Sequence, residues 1–239
     1  MVSYISHLVL GIVASANTRV LKEPRGFMKI LQFIFTICAF ATTTSFSSNM
    51  KVSVQCSSDK PTELQIVTIP LDYNFQLYKL DLDVCVHSKL SLQQDFSSDS
   101  GFFVAVGVLA FLFVIGDLVL YTVYDKMYSE DIRIPTFDFA IHIVFGILFL
   151  AASSAWANSL NGLKAATSLE TIRAENAKIC KLDCKITEEP DFAKLNISII
   201  LGFLNLFLFT SNLWFIYKET SFFASKVDQT QPQEPQSKI

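Results

Sequence analysis

The chain has 239 residues, of which 51% are apolar and only 17% are charged. Its mean hydropathy of +0.40 lies well above that of an ordinary soluble domain. The formal net charge of −3 gives no basic excess for binding nucleic acid. The 22 phenylalanines are also more than one small aqueous core would need. The composition therefore favours a membrane protein and argues against a nucleic-acid-binding or ordinary soluble domain.

Residues 1–20 precede the strongly apolar part of the chain. The apolar run over 8–14 is too short to span a bilayer. Ala14-Ser15-Ala16 resembles a signal-peptidase cleavage site, but no basic region precedes the apolar run. We predict a cytosolic lead-in over 1–20. A cleaved signal is the alternative, and it would invert the side of every loop.

Four stretches are long and apolar enough to cross a bilayer as helices that satisfy their own backbone hydrogen bonds. We predict spans at 28–46, 102–124, 137–157 and 197–217. The second span contains Asp117, which costs about 2.5–3.5 kcal/mol to insert, and its fifteen Val, Leu, Ile and Phe residues outweigh that cost. The predicted fold class is an all-α integral membrane protein with a bundle of four transmembrane helices.

Several residues near the span ends are typical of helix starts or of close helix packing. Pro24 with Gly26, and Pro135 with Asp138, predict the starts of the first and third helices, where an acid is favoured near the positive end. A series of small residues gives the third span a face that can pack closely on another helix in lipid: Gly146, Ala151, Ala152, Ser153, Ser154 and Ala155.

The flanks of the first span predict the orientation of the chain. Only Lys51 lies close beyond its C-terminal end. Four basic residues crowd its N-terminal end: Arg19, Lys22, Arg25 and Lys29. Flanking positive charge favours the cytosolic side. With an even number of spans, both termini are expected in the cytosol, and the loops over 47–101 and 158–196 in the lumen.

Each of these two long loops holds one pair of cysteines, and disulfides persist in oxidising compartments. We pair Cys56 with Cys85 and Cys180 with Cys184, one of three connectivities that four cysteines allow. The alternative is a metal site that uses Cys85, His87 and a second pair. Because C-x₃-C alone is a weak metal signal, we predict no metal.

The sequence Asn196-Ile197-Ser198 fits the N-glycosylation pattern. It lies directly against the fourth span, where the transferase has poor access. We expect Asn196 to be unmodified.

Four polar residues inside the predicted spans are candidates for a role beyond lipid contact. Asp117 and His142 are ionisable, and such residues are functional candidates by default. Both lie off-centre toward the same side, so we hypothesise that they pair between the second and third helices. Asn205 and Asn212 are seven residues apart on one face of the fourth helix, where an amide seeks an interhelical hydrogen bond. They either lock the bundle or contact a partner helix.

Six short motifs follow one another in order between residues 21 and 221. They are Lys22-Glu23-Pro24-Arg25-Gly26-Phe27, Ala39-Phe40-Ala41-Thr42, Gln94-Asp95-Phe96-Ser97-Ser98, Ser153-Ser154-Ala155-Trp156-Ala157, Gly202-Phe203-Leu204-Asn205 and Asn212-Leu213-Trp214-Phe215-Ile216-Tyr217-Lys218-Glu219-Thr220. Together they resemble the synaptophysin family, and the short tail is most similar to its pantophysin-like members. Arg25 and Asp117 depart from that family, which usually has apolar or small residues there.

The resemblance implies a MARVEL-type four-helix domain over 21–221, with one disulfide in each lumenal loop. It also implies residence in synaptic or other transport vesicles, a synaptobrevin-type vesicle SNARE as partner, cholesterol as a bound lipid, and homo-oligomers. Residues 222–239 are polar and are predicted to form a disordered cytosolic tail. That tail contains no Tyr and no Gly, unlike the long Tyr-, Gly- and Pro-rich tail of synaptophysin itself.

These features predict a non-enzymatic vesicle membrane protein that regulates trafficking or exocytosis through SNARE and cholesterol contacts. The alternative is a channel- or transporter-like protein that uses Asp117 and His142. An adhesion protein is disfavoured because the Cys-Cys-Gly motif of tetraspanins and the first-loop pattern of claudins are absent. An enzyme is disfavoured because the sequence holds no HExxH, phosphate-binding loop or Ser–His–acid set. No cofactor is predicted.

Overall fold

The computed structural model describes residues 19–56, 64–85, 88–124, 128, 133–181 and 183–218. Within them, four helices are long and apolar enough to cross a membrane, and about a third of the most apolar window of each is buried by the protein. Many of the other side chains in these windows are large, apolar and exposed, as on lipid-facing helices. The helices are α1 (Pro24–Thr44), α2 (Ser97–Val123), α3 (Arg133–Ala166), the short α4 (Leu169–Glu175) and α5 (Ala193–Tyr217). The predicted four-helix membrane class is confirmed.

The helices extend beyond the predicted spans. α1 begins at Pro24 and α3 at Arg133, in each case four residues before the apolar window begins. At a rise of 1.5 Å per residue, α3 is about 50 Å long, which exceeds the hydrocarbon thickness of about 30 Å. The structure does not describe most of the predicted lead-in over 1–20, His87 or the predicted tail over 222–239.

The loops between the spanning helices contain β-structure, which the all-α prediction did not include. The strands are β1 (Ser47–Gln55), β2 (Leu64–Asp72), β3 (Leu82–Val84), β4 (Ser88–Leu90) and β5 (Cys184–Glu188). An antiparallel sheet has the order β2-β1-β5, and β3 pairs with β4. Met50, Val52 and Val54 alternate along β1 and are fully buried, which is the period-two pattern of a half-buried strand.

The two predicted disulfides are present in the loops between the helices. Cys56, directly after β1, is bonded to Cys85, with 5.4 Å between their Cα atoms. Cys180 is bonded to Cys184, with 5.2 Å between their Cα atoms. Because Cys184 pairs with Val54 in the β1–β5 ladder, the sheet connects the two disulfide-bearing loops. The predicted pairing is confirmed.

The chain divides into two compact units. The charged unit, named for the cluster described below, comprises the described parts of Met1–Thr36, Leu109–Leu148 and Leu204–Ile239. The disulfide unit comprises the described parts of Ile37–Val108 and Phe149–Phe203, and it contains the sheet.

Two helices with their N-terminal ends in the disulfide unit have the same type of hydrogen bond at the first turn. An Asp side chain two residues upstream accepts a backbone N–H of the first turn, which otherwise has no intrahelical partner. Asp95 accepts from Ser97 at 2.9 Å before α2, and Asp191 accepts from Ala193 at 2.8 Å before α5. The hydrogen bond from Ser97 also lowers the pKa of the Asp95 carboxyl below its usual value.

Close helix packing in the disulfide unit yields a first testable prediction at Gly202. A Cβ atom there would lie 2.4 Å from Ser153 Oγ and 2.6 Å from Phe103 Cε2. We expect Gly202→Ala to lower the free energy of unfolding by about 1–3 kcal/mol through overpacking, measured in mixed detergent–SDS micelles. The control is Gly146→Ala, since a Cβ there meets nothing within 4 Å. Equal stability of the two variants would contradict the packing argument.

Candidate functional site

Four ionisable side chains lie inside the spanning helices of the charged unit and are almost completely buried. Lys29 and His142 are 0% exposed, Asp138 is 4% exposed and Asp117 is 5% exposed. Lys29 stands on α1, Asp117 on α2, and Asp138 and His142 one turn apart on α3. Buried charges are strongly unfavourable unless they are paired and hydrogen-bonded. Their partners therefore decide whether these helices can pack together.

Lys29 supplies the positive charge at the centre of this buried cluster. Its ammonium donates a hydrogen bond to Asp117 Oδ2 and a second one, of 3.0 Å, to Asp138 Oδ2. One lysine therefore joins α1 to both α2 and α3 through two charge-assisted hydrogen bonds. Two carboxyl groups on different helices thus share one buried ammonium.

Tyr128, between α2 and α3, adds a neutral donor to the cluster. Its hydroxyl donates to Asp138 Oδ2 at 2.8 Å, and the residue is 1% exposed. Burial, together with the nearby charge of Asp138, raises the pKa of the Tyr128 phenol far above its usual range. The phenol consequently keeps its proton and remains a hydrogen-bond donor to the carboxylate.

His142 connects α3 to α5. Its Nδ1 lies 3.0 Å from the backbone carbonyl oxygen of Asp138 and 2.8 Å from Asp138 Oδ1. Both neighbours are acceptors, so Nδ1 must carry the proton. Nε2 then accepts a hydrogen bond of 3.0 Å from the side-chain amide of Asn212. With these bonds, the cluster includes side chains from all four spanning helices.

A cationic and aromatic layer lies beside the cluster. The Arg25 guanidinium is 4.2 Å from the ring centroid of Tyr121 and 4.6 Å from that of Tyr128, within cation–π range. The Tyr121 hydroxyl donates to Glu23 at 2.6 Å. Arg25 is 7% exposed, so it is buried in the protein and does not point outward as a simple cytosolic flank.

Asp117 and His142, hypothesised to pair between the second and third helices, lie close together, but each has another side chain as its nearest polar partner. Their ligand atoms approach within 4.8 Å, but Asp117 is bonded to Lys29, and His142 lies against Asp138. Lys29 was interpreted as a flanking charge of the first span, and Asp138 as a residue at the start of the third helix. Both instead lie buried within their helices, where Lys29 contacts Asp117 and Asp138 contacts His142. Asp138 lies five residues inside α3, beyond its first turn, so it is not a helix-start residue.

The two asparagines of α5 hydrogen-bond to different helices. Asn205 donates to the backbone carbonyl oxygen of Phe35 on α1 at 2.9 Å, whereas Asn212 donates to His142 on α3. Gln32 on α1 donates to the carbonyl oxygen of Leu208 on α5 at 3.4 Å and is fully buried. Gln32 was absent from the predicted candidates, although a Gln within an apolar helix is a readable signal.

Asp117, Asp138 and His142 could each offer one ligand atom to a metal ion. The Lys29 ammonium, however, lies at hydrogen-bonding distance from both carboxylates, where a bound cation would compete with it. The described side chains are therefore arranged as an ion-pair network. Its capacity is to hold four helices together through hydrogen bonds and ion pairs inside an apolar protein.

The sequon at Asn196 is part of α5, which supports a second testable prediction. Asn196 is exposed and its Oδ1 accepts from Lys164 at 2.8 Å, whereas Ser198 Oγ is buried and accepts from Trp156 Nε1 at 3.0 Å. We expect Asn196→Gln to leave electrophoretic mobility unchanged and the wild type to be insensitive to endoglycosidase.

The matched control for Asn196 is Lys185→Asn, which creates a sequon in the same loop, on β5. The Lys185 side chain is 71% exposed. If this loop is lumenal, we expect that variant to gain an endoglycosidase-sensitive mass. A mass loss in Asn196→Gln would contradict the prediction.

Four apolar helices, two disulfide-closed loops and a buried network that joins all four helices define a polytopic integral membrane protein. A known domain covers the same region: MARVEL, described as a membrane-associating domain, matches residues 20–215. The match includes α1 to α4, α5 up to residue 215, and most of the chain. The protein belongs to the MARVEL family.

Proposed function

We propose that this protein is a non-enzymatic organiser of transport or secretory vesicle membranes, of the synaptophysin type. The MARVEL match over 20–215 is the observation that carries the proposal, because it identifies almost the whole helical region as a membrane-associating domain. The ordered motifs between residues 21 and 221 favour the synaptophysin type within that family. The proposed partners are a synaptobrevin-type vesicle SNARE, cholesterol and further copies of the chain.

The outward faces of the helices support a role in contacts with lipid and partner helices. Large apolar side chains stand out from them, including Leu112 at 58%, Ile147 at 63%, Phe207 at 64% and Trp214 at 63% exposure. Inside the charged unit, the same helices are held by directional hydrogen bonds and ion pairs. A fixed scaffold with apolar outer faces suits a protein that positions other membrane components.

The experiment that tests the proposal is crosslinking in vesicles isolated from the native tissue. Antibody capture of the full-length protein should recover a vesicle SNARE of the synaptobrevin type, and should not recover an unrelated single-span protein of the same vesicles. Digestion of intact vesicles with added protease should spare the Cys56–Cys85 loop. Recovery of the protein mainly at the cell surface, without a vesicle SNARE, would overturn the proposal.

A channel- or transporter-like function is the second candidate, favoured by the ionisable residues inside the spans. Ion flux measured with the purified protein in liposomes distinguishes a channel or transporter from a membrane organiser. Ion flux equal to that of protein-free liposomes supports the organiser. A flux that Asp117→Asn removes, in protein that is still folded, supports the channel.

A further inference from the structure

The outer edge of β2 pairs with no strand in the part of the chain that the structure describes. The sheet has the order β2-β1-β5, so β2 is bonded to β1 on one side only. Directly after β2, Tyr73 donates its backbone N–H to the carbonyl oxygen of Phe46 at 3.2 Å, which continues the β1–β2 register. The residues that bond to one neighbour alternate along an antiparallel strand. The backbone N–H and C=O groups of Leu64, Ile66 and Thr68 therefore face away from β1.

The same edge exposes apolar side chains and carries no charge. Leu64 is 52% exposed and Ile66 is 59% exposed. Residues 64–68 read Leu-Gln-Ile-Val-Thr and contain no Lys, Arg, Asp or Glu. Folded proteins usually protect a free sheet edge with lysine, proline or a covering segment, because an open edge pairs with other chains. Pro70 gives such protection only beyond residue 68.

The opposite edge of the sheet differs in this respect. β5 has only five residues, Cys184–Glu188. Two of them carry exposed charges, since the side chains of Lys185 and Glu188 are 71% and 54% exposed. A short, charged edge strand is protected against pairing with another chain. Of the two edges of this sheet, β2 is therefore the one available for pairing.

We propose that β2 pairs antiparallel with β2 of a second copy of this chain. A two-fold axis at Ile66 places this residue opposite its own copy, and Leu64 opposite Thr68 of the second copy. Because residues 64–68 are uncharged, the symmetric pairing brings no like charges together, and it places two isoleucines side by side. The inference rests on the proposed self-association and assigns a contact to it, through backbone hydrogen bonds from three residues of each chain.

The test is oxidative crosslinking of single-cysteine variants of the full-length protein in phosphatidylcholine liposomes. Directly opposite residues have Cα atoms about 5.5 Å apart, which a disulfide spans. We therefore expect Ile66→Cys to form a dimer that mass spectrometry shows to be linked through position 66. Leu64→Cys alone should stay monomeric, because its two copies would lie about 14 Å apart. Leu64→Cys mixed with Thr68→Cys should crosslink.

The matched control for crosslinking is Thr187→Cys, which is exposed on β5, and it should stay monomeric. Equal crosslinking of Thr187→Cys and Ile66→Cys would overturn the pairing. So would a monomeric Ile66→Cys, or a dimer linked through Cys56 or Cys85. These results leave the capture of a vesicle SNARE unaffected, so failure of this inference is distinct from failure of the proposed function.

A second measurement needs no added cysteine and uses energy transfer between labelled copies in the same liposomes. Ile66→Lys puts two like charges opposite each other and should reduce the dimer fraction at least tenfold. Thr68→Pro should do the same, because it removes an outward N–H and leaves the β1–β2 bonds intact, as Pro70 does at the next outward position. The control Thr187→Lys should pair like the wild type. Wild-type pairing of both β2 variants would refute the assignment.

Discussion

Replacing Lys29 by methionine is expected to lower the free energy of unfolding by about 3–5 kcal/mol. Methionine matches the length of the lysine side chain but leaves Asp117 and Asp138 buried together without their shared ammonium. The cost follows mainly from two uncompensated like charges, since the lost contact area is small. The measurement is reversible unfolding in mixed detergent–SDS micelles.

The control is the same substitution at Lys22, which is exposed at the N-terminal side of α1. Lys22→Met should change the free energy of unfolding by less than about 0.5 kcal/mol. Adding Asp117→Asn to Lys29→Met should restore part of the loss, because it removes one of the two orphaned charges. If the double variant is as unstable as the sum of the single variants, the residues do not act as one network.

The helices could be predicted from the sequence because hydrocarbon length and apolar composition are local properties. The disulfides could be predicted because each long loop contains one pair of cysteines. The sheet was not predicted, even though Met50, Val52 and Val54 alternate along β1. β5 covers only Cys184–Glu188 and pairs with residues about 130 positions earlier, and no local pattern specifies such a pairing.

The charged cluster was predicted only in part, because two of its residues lie near the edges of the apolar windows. Asp117 and His142 stand out because apolar residues surround them on both sides. Lys29 and Asp138 stand near the edges of the apolar windows, where charged residues usually flank a span. Because α1 and α3 each begin four residues before those windows, both side chains lie inside a helix and become buried. The starting residues of α1 and α3, together with hydropathy, therefore determine which charged side chains belong to the cluster.

The pairing of charges also gives a physical account of two unusual residues. Arg25 and Asp117 are the two positions at which the sequence departs from its resemblance to the synaptophysin family. In the structure, Asp117 shares Lys29 with Asp138, and Arg25 lies over the ring of Tyr128, whose hydroxyl donates to that same Asp138. The two opposite charges thus belong to one buried region, which a sequence comparison position by position does not reveal.

Removing the Cys56–Cys85 disulfide is expected to lower the free energy of unfolding by about 3–4 kcal/mol, against about 2 kcal/mol for Cys180–Cys184. The difference arises in the unfolded chain, because the first bond closes a ring across a sequence separation of 29 and the second across only 4. The measurement compares the Cys56→Ser/Cys85→Ser and Cys180→Ser/Cys184→Ser double variants, so that no free thiol remains at either site.

The position of the Cys56–Cys85 disulfide also predicts which part of the structure is destabilised when the bond is removed. Cys56 directly follows β1, and the backbone N–H of Cys85 donates to Gln65 Oε1 on β2 at 2.8 Å. Without the bond, the β1–β2 edge of the sheet should become sensitive to limited proteolysis, while α1 and α2 stay protected. If the short ring costs as much as the long one, chain entropy is not the main origin of the stabilisation. The disulfides would then act through contacts in the folded sheet, where Cys184 is fully buried and Cys56 is exposed.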